Sequence, residues 1–463
     1  MDDILPLLLE LQPDLSKTDC KRLNAIASSI YALTGKVTQL GISRYGEFSY
    51  RTVQRFFHSE INWNNLLWSF FSKHLCQNEA PHLLVADETV ITKSGKRTHG
   101  LDRFFSSMAD KVIPGIACFA IALVNAEQRE AYPVSVEQVV RSEEEIARAK
   151  QEAKERREKQ KKKKEGTEEV PKRSPGRPLG SQNKNKEEVE LSPELLRIQK
   201  QLKTLLATMN GKLPLQYLAL DGHFGNHPSW VMVRGLELHI ITKFRTTAEL
   251  YFELTAEEKK TYPHRTYGER VIPRALPEKH LKSRETVERV QYETYQMTCR
   301  HKDFKDKINV VIVVRTSLAT KNVSHVIFVS SDLALAAEQL LDNYSLRFQI
   351  EFEFRDAKGH FGLEDFMCVK EKSVTNSLGL SFFMTLLSAS LLEGFREHSP
   401  KAGIIDLKAY FRLEMYMKEA IKILSEKAIG ISCSELMSKL PVIGSIHSNM
   451  TKKTTLPSMN SPG

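Results

Sequence analysis

Residues 344–358 read YSLRFQIEFEFRDAK, a Tyr-x2-Arg-x3-Glu-x6-Lys spacing. On a single helix advancing about 100° per residue, Tyr344, Arg347, Glu351 and Lys358 fall within roughly 60° of one another, on one face. A carboxylate flanked there by two cations and a phenol can hold a metal ion beside a phosphodiester, with the cations taking phosphate oxygens. The plain alternative is a surface helix with i,i+4 ion pairs, Arg347 to Glu351 and Glu351 to Arg355. Ordinary residue usage yields the four-residue pattern in a chain of this length with a probability on the order of 0.003, which favours the site.

The stretch closely resembles the Tyr-Arg-Glu-Lys signature of a family of bacterial insertion-sequence transposases, the fourth in the usual numbering. The Glu of that signature is the last member of an Asp-Asp-Glu triad. The resemblance therefore implies two aspartates upstream, each at the end of a strand. Residues 82–87 (HLLVAD) form a short apolar run ending in Asp87, which reads as a buried strand delivering a carboxylate, although an aspartate so placed is also a common turn residue. Residues 216–220 (QYLAL) repeat the arrangement and run into Asp221-Gly222. A hairpin turn is the simple reading of Asp-Gly. Here a helical stretch around residues 230–234 and a returning strand at 237–243 (ELHIITK) follow instead, making a strand-helix-strand unit. The phrase DGHFGNH also resembles the second-aspartate region of the family. His223 and His227 stand at a zinc-compatible i,i+4 spacing, but with no third or fourth ligand in view they read as ordinary surface histidines.

Between and after these aspartates, residues 115–125 (GIACFAIALVN) and 131–136 (AYPVSV) read as two further strands joined by a short polar connection around Gln128, while 93–111 is polar and rich in Lys, Arg and Gly. Residues 192–209 are a helix with Pro193 at its first position and a leucine-rich side. Residues 286–300, 308–316 and 325–330 read as strands. The implied fold is α/β: a ribonuclease H-like core, its mixed sheet flanked by helices, interrupted by a charged linker and a β-rich insertion. The expected organisation is a helical domain at 1–77, core at 78–141, linker at 142–190, core again at 191–244, the β-rich insertion at 245–332, core helices carrying Glu351 at 333–400, further helices at 401–444 and a disordered tail at 445–463. In the N-terminal domain, Arg44, Arg51 and Arg55 surround residues 49–57 (SYRTVQRFF). Either they serve a helix-turn-helix that reads DNA, or the segment is a plain helical domain packed by Phe56, Phe57, Trp63 and Trp68.

The net charge of +10 suits a polyanionic partner, and residues 143–173 hold only three of those ten charges, so the excess is spread through the folded parts. Within the linker, PGRPLGSQNK (175–184) resembles an AT-hook, in which Arg177 meets the negative potential of a narrow minor groove; the same residues also fit a flexible basic linker. Six scattered cysteines with no CxxC pair fit a reducing compartment. The acidic N-terminus and the want of an apolar run of about 20 residues point to a soluble, intracellular protein with no membrane partner, and the resemblance implies that it is bacterial, cytoplasmic and nucleoid-associated.

The resemblance implies a DNA transposase that cuts the ends of its element and joins the 3′-OH ends to target DNA, cut-and-paste, with a hairpin at the DNA end. Asp87, Asp221 and Glu351 would hold two Mg²⁺ ions, with Mn²⁺ as a substitute, because converging carboxylates need cations and all-oxygen ligands select these metals. Tyr344, Arg347 and Lys358 would grip the DNA end, and synapsis of two ends implies a homodimer. The competing reading is a non-catalytic DNA-binding protein derived from a transposase.

Overall fold

The computed structural model describes residues 4–12, 14–77, 79–106, 109–164 and 189–424. The chain divides into two compact units, one of Met1–Gln77, Gly95–His99 and Glu353–Gly463, the other of Asn78–Ser94 and Gly100–Phe352. Arg177 and the tail expected at 445–463 lie outside the described residues.

Five helices open the first unit: α1 (Ile4–Leu9), α2 (Lys17–Ala32), α3 (Gln39–Tyr45), α4 (Tyr50–Phe57) and α5 (Trp63–His74). Ser16 starts α2 by accepting the Asp19 amide at 3.1 Å, and Cys20, Leu23, Ala27 and Ile30 recur at helical spacing as its buried stripe. In α4, Val53, Phe56 and Phe57 are buried and pack the helical unit, while Arg51 and Arg55 are exposed.

The second unit is built on one sheet. Its elements in chain order are β1 (His82–Thr92), β2 (Asp102–Ser106), β3 (Lys111–Asn125), β4 (Glu130–Val139), α6 (Glu143–Lys164), α7 (Pro193–Met209), β5 (Tyr217–Ala219), α8 (His227–Arg234) and β6 (His239–Phe244). There follow β7 (Leu250–Phe252), α9 (Ala256–Thr261), β8 (Leu281–Val287), β9 (Val290–His301), β10 (Ile308–Ser317), β11 (Val323–Ser330) and α10 (Ala337–Leu346). The sheet runs β4-β3-β1-β5-β6 and continues through β11-β10-β9, with β2 also on β3 and β7 and β8 also on β9. Pairs β1/β5 and β5/β6 are parallel and the others antiparallel, so the sheet is mixed, as expected. From Gly115 to Asn125 β3 is buried at every residue, as an unbroken apolar run in the middle of a sheet must be.

The last helices among the described residues are α11 (Gln349–His360), α12 (Glu371–His398) and α13 (Ile404–Leu424). By length and composition α12 is apolar enough to cross a membrane, yet 78% of its most apolar window is buried inside the protein. Gly379 explains part of that burial: a Cβ there would come within 2.1 Å of the Trp63 ring, so only glycine lets α5 approach so closely. Trp63 then donates its indole N–H to Asn376 at 2.8 Å.

Four local expectations are corrected. Asp87 is not at the end of its strand, because β3 pairs with β1 all the way from His82 to Thr92. The polar stretch 93–111 contains β2, whose Phe104 is buried under the Arg141 guanidinium at 4.4 Å. Residues 286–300 are not one strand but the two arms of a hairpin, turning at Glu288 and Arg289 with φ of 45° and 66°. Such turns favour Gly or Asn, and neither marks this one. Finally, 344–358 is not one helix. α10 ends at Leu346, Arg347 and Phe348 form a tight turn with i to i−3 amide bonds at 3.2 and 3.1 Å, and α11 begins at Gln349.

Candidate active site

The two aspartates meet through strand register. In the parallel pair, Leu84 stands beside Leu218 and Val85 beside Ala219. Asp87 and Asp221 each come two residues later, so the same offset carries both just beyond the last paired residues, and a step of two along a strand returns to the same face. β5 stops at three residues, which leaves Asp221 free to turn out of the sheet while β1 runs on with β3.

The turn after Asp221 is fixed by β6. Thr242, fully buried, donates its hydroxyl to the Asp221 carbonyl at 2.8 Å. Gly225 lies so close to the same strand that a Cβ would sit 2.1 Å from the Lys243 carbonyl, which is the physical reason for the glycine in DGHFG. Replacing Thr242 by valine keeps the shape and leaves that carbonyl without its donor. The expected result is a loss of about 1–3 kcal/mol in denaturant unfolding, with nuclease activity falling further than stability because the Asp221 turn loosens.

Arg347 joins the remaining parts. Its Nη1 donates to Asp87 Oδ2 at 2.8 Å and its Nη2 to Glu351 Oε1 at 3.1 Å, so one guanidinium fork spans a carboxylate from the sheet and one from α11. The Arg347 side chain is 12% exposed, that of Asp87 23% and that of Glu351 40%. Burial pushes the Asp87 carboxyl above its ordinary value. Arg347 and the Glu88 amide, which donates to Oδ1 at 2.8 Å, pull it back, while Asp221 and Glu351 push it up again. Burial opposes the charge on Arg347, but Asp87, Tyr344, Asp221 and Glu351 together hold it above the usual guanidinium value. Among the described residues the Asp221 carboxylate has no hydrogen-bond partner, and the buried Nε of Arg347 has none either.

The other signature residues take different places. Tyr344 is 7% exposed, its ring edge-on to Phe328 at 5.2 Å and facing Lys243 Nζ at 4.6 Å and the Arg347 guanidinium at 5.9 Å. It is a wall that seats two cations. Lys358 is on α11 with Glu351, in the part of that helix that belongs to the other unit, with Nζ 3.5 Å from Glu364 Oε1. The two histidines separate: His223 lies 3.4 Å from Glu194 Oε1 and His227 packs edge-on to Phe304 at 5.1 Å.

Lys243 is the residue that sequence reading passed over. Burial, and then Arg347, lower its amine below the usual value, with Asp221 pulling the other way. The available signal was a charge closing an otherwise apolar strand, ELHIITK.

A family model described as DDE superfamily endonuclease matches residues 10–305, more than half of the chain. The chain belongs to the DDE superfamily of endonucleases. Membership carries the ribonuclease H-like fold, in keeping with the mixed sheet and flanking helices, and with it a transposase-like nuclease acting on DNA. The matched span includes Asp87 and Asp221 and ends before Glu351. Comparison with curated proteins yields no significant match.

DDE endonucleases generally use divalent metal ions. Among the described residues no three His, Cys, Asp or Glu side chains are gathered closely enough to ligate one ion. The donor set nonetheless suits one: it is all carboxylate oxygen, and a positive charge already spans Asp87 and Glu351 in the form of the Arg347 fork.

Proposed function

We propose that this DDE endonuclease is an insertion-sequence transposase of the Tyr-Arg-Glu-Lys kind, with Asp87, Asp221 and Glu351 as its catalytic carboxylates. The observation that carries the reading is the equal two-residue offset of Asp87 and Asp221 beyond the β1/β5 register, joined to Glu351 through Arg347. Those three carboxylates would hold two Mg²⁺ or Mn²⁺ ions. Bound there, such ions supply Lewis-acid stabilisation of the departing oxygen and a more acidic attacking hydroxyl.

The chain's own groups do the rest. The Glu88 amide and the strand pairing keep the Asp87 carboxylate in one orientation, and Thr242 keeps the Asp221 turn in place. Arg347 is the movable part. In exchanging carboxylate oxygens for phosphate oxygens it keeps bidentate partners throughout, so the buried guanidinium is never left bare. Tyr344 gives Arg347 and Lys243 a π-face to rest on while they turn toward a strand. In this reading water first frees a 3′-OH at the element's end, the second strand is released through a hairpin, and the 3′-OH then attacks target DNA. Two chains synapse the two ends, in the bacterial cytoplasm.

The deciding experiment incubates purified protein with duplexes carrying the inverted repeats that flank its reading frame, in Mg²⁺, Mn²⁺, Ca²⁺ or EDTA. Cleavage at the repeat ends in Mg²⁺ or Mn²⁺, leaving a 3′-OH and vanishing in EDTA, is expected. Tight binding without cleavage in any metal would replace the reading with a non-catalytic DNA-binding derivative.

A further inference from the structure

A second cluster of charge lies in the helical unit. A cavity of about 500 Å³ opens between the loop after α2, the C-terminal end of α11 and the middle of α13. Four cations line it, Lys36, Lys358, Lys408 and Arg412, against the single carboxylate of Asp365.

Lys358 is paired with Glu364 at 3.5 Å. Arg412 anchors Nε on the Ala32 carbonyl at 2.9 Å and Nη2 on the Leu33 carbonyl at 3.4 Å, which leaves Nη1 without a partner among the described residues. Lys408 is tied by Nζ to the His360 carbonyl at 3.1 Å, using one of its three donors. Asp365 is already engaged, accepting the Val37 amide at 2.9 Å. Lys36 is exposed and makes no ion pair among the described residues. Gly35, at φ 84°, and Gly359 also border the cavity, and a Cβ at either would meet nothing within 4 Å, so the backbone is open to a close approach.

With Lys358 shared by Glu364 and only Asp365 on the lining, the cavity keeps an excess of positive charge that an anion would balance. Burial, followed by Arg412, pushes the Lys408 amine down to about 8, with Asp365 acting in the opposite sense. An entering phosphate would raise it again.

We infer that Lys36, Lys408 and Arg412, together with Lys358, form a pocket for a backbone phosphate of a bound DNA strand. This rests on the DNA-cutting function proposed above and adds three residues outside the signature to the machinery that holds DNA. Lys358 is shared with Glu364, whereas Lys36, Lys408 and Arg412 make no ion pair among the described residues, and guanidinium and ammonium donors of that kind recognise phosphate oxygens.

The test measures duplex DNA binding by fluorescence anisotropy across salt concentrations for the full chain, Lys36→Gln, Lys408→Gln, their double variant, and Lys17→Gln, an exposed lysine on α2, as a control. Each pocket change is expected to weaken binding roughly tenfold at about 0.1 M salt and to flatten the log–log salt slope by about one unit, irrespective of DNA sequence. The double variant should show about twice that change in slope, the control little of either, and all should keep the parent's thermal midpoint. Equal slopes for parent and double variant, or an equal loss in Lys17→Gln, would overturn the inference. So would inorganic pyrophosphate binding that the pocket variants abolish while DNA binding stays unchanged, since the pocket would then serve a small anion. Binding is read without cleavage, so a parent that binds through the pocket but never cuts would sink the transposase reading alone. A parent that cuts, with variants that bind unchanged, would sink the pocket alone.

Discussion

Glu351→Ala and Asp221→Asn are each expected to reduce Mg²⁺-dependent DNA cleavage by about 10³-fold or more while leaving DNA binding within a fewfold of the parent. The magnitude follows from losing a carboxylate that holds a catalytic ion, worth several kcal/mol in the transition state. Neither change should unfold the protein. Asp221 has no side-chain hydrogen bond among the described residues, and Glu351 makes one bond to Arg347 from a position 40% exposed. An i,i+4 pair so placed contributes no more than about 1 kcal/mol. Cleavage and anisotropy assays on the same preparations separate chemistry from binding, and a thermal melt controls for folding. Cleavage by Glu351→Ala within about tenfold of the parent would remove that residue from the catalytic set.

Arg347→Ala is expected to be the most destabilising single change at the site, by about 3–5 kcal/mol at neutral pH, because it leaves the largely buried Asp87 carboxylate without its cation. The pH dependence has a definite sign. In the folded parent burial already raises the Asp87 carboxyl, and without Arg347, which opposes that rise, it moves higher. The folded state then binds a proton more readily than the unfolded one, so stability falls as pH rises from the ordinary carboxylate value toward the folded one. The deficit of Arg347→Ala should accordingly be greatest at neutral pH and shrink on acidification, as Asp87 takes up a proton. Urea unfolding of parent and variant at several pH values measures this. Arg347→Lys should recover part of the stability but less of the activity, since one ammonium cannot span Asp87 and Glu351 as the fork does. A deficit that stays constant with pH would mean that Asp87 is not the group Arg347 neutralises.

The elements that read well from sequence are those with one strong local signal. Ser192-Pro193 followed by leucines at helical spacing gives α7, whose N-cap Ser192 does accept the Leu195 amide, and the apolar run at 115–125 gives the central part of β3. The misread ones carry signals that point elsewhere. A hairpin whose turn residues are Glu288 and Arg289 looks like continuous strand. β2 is short, and its one buried aromatic, Phe104, is covered by a distant arginine rather than by neighbours in sequence. The break between α10 and α11 has no Gly or Pro to announce it, so the helical wheel drawn over 344–358 describes a helix that the backbone does not form.

Sequence alone determined that two apolar strands each lead to an aspartate and that a helical stretch supplies a glutamate with basic and phenolic companions. Apolar run length and periodicity are local properties, and they suffice for that. Only the tertiary structure decided that Asp87 and Asp221 stand at equal offsets past the β1/β5 pairing, that Arg347, 260 residues beyond Asp87, joins it to Glu351, and that Lys243 and Tyr344 stack behind it. Register and long-range ion pairs are selected by which faces of which elements bury together, and no short window of residues contains that information.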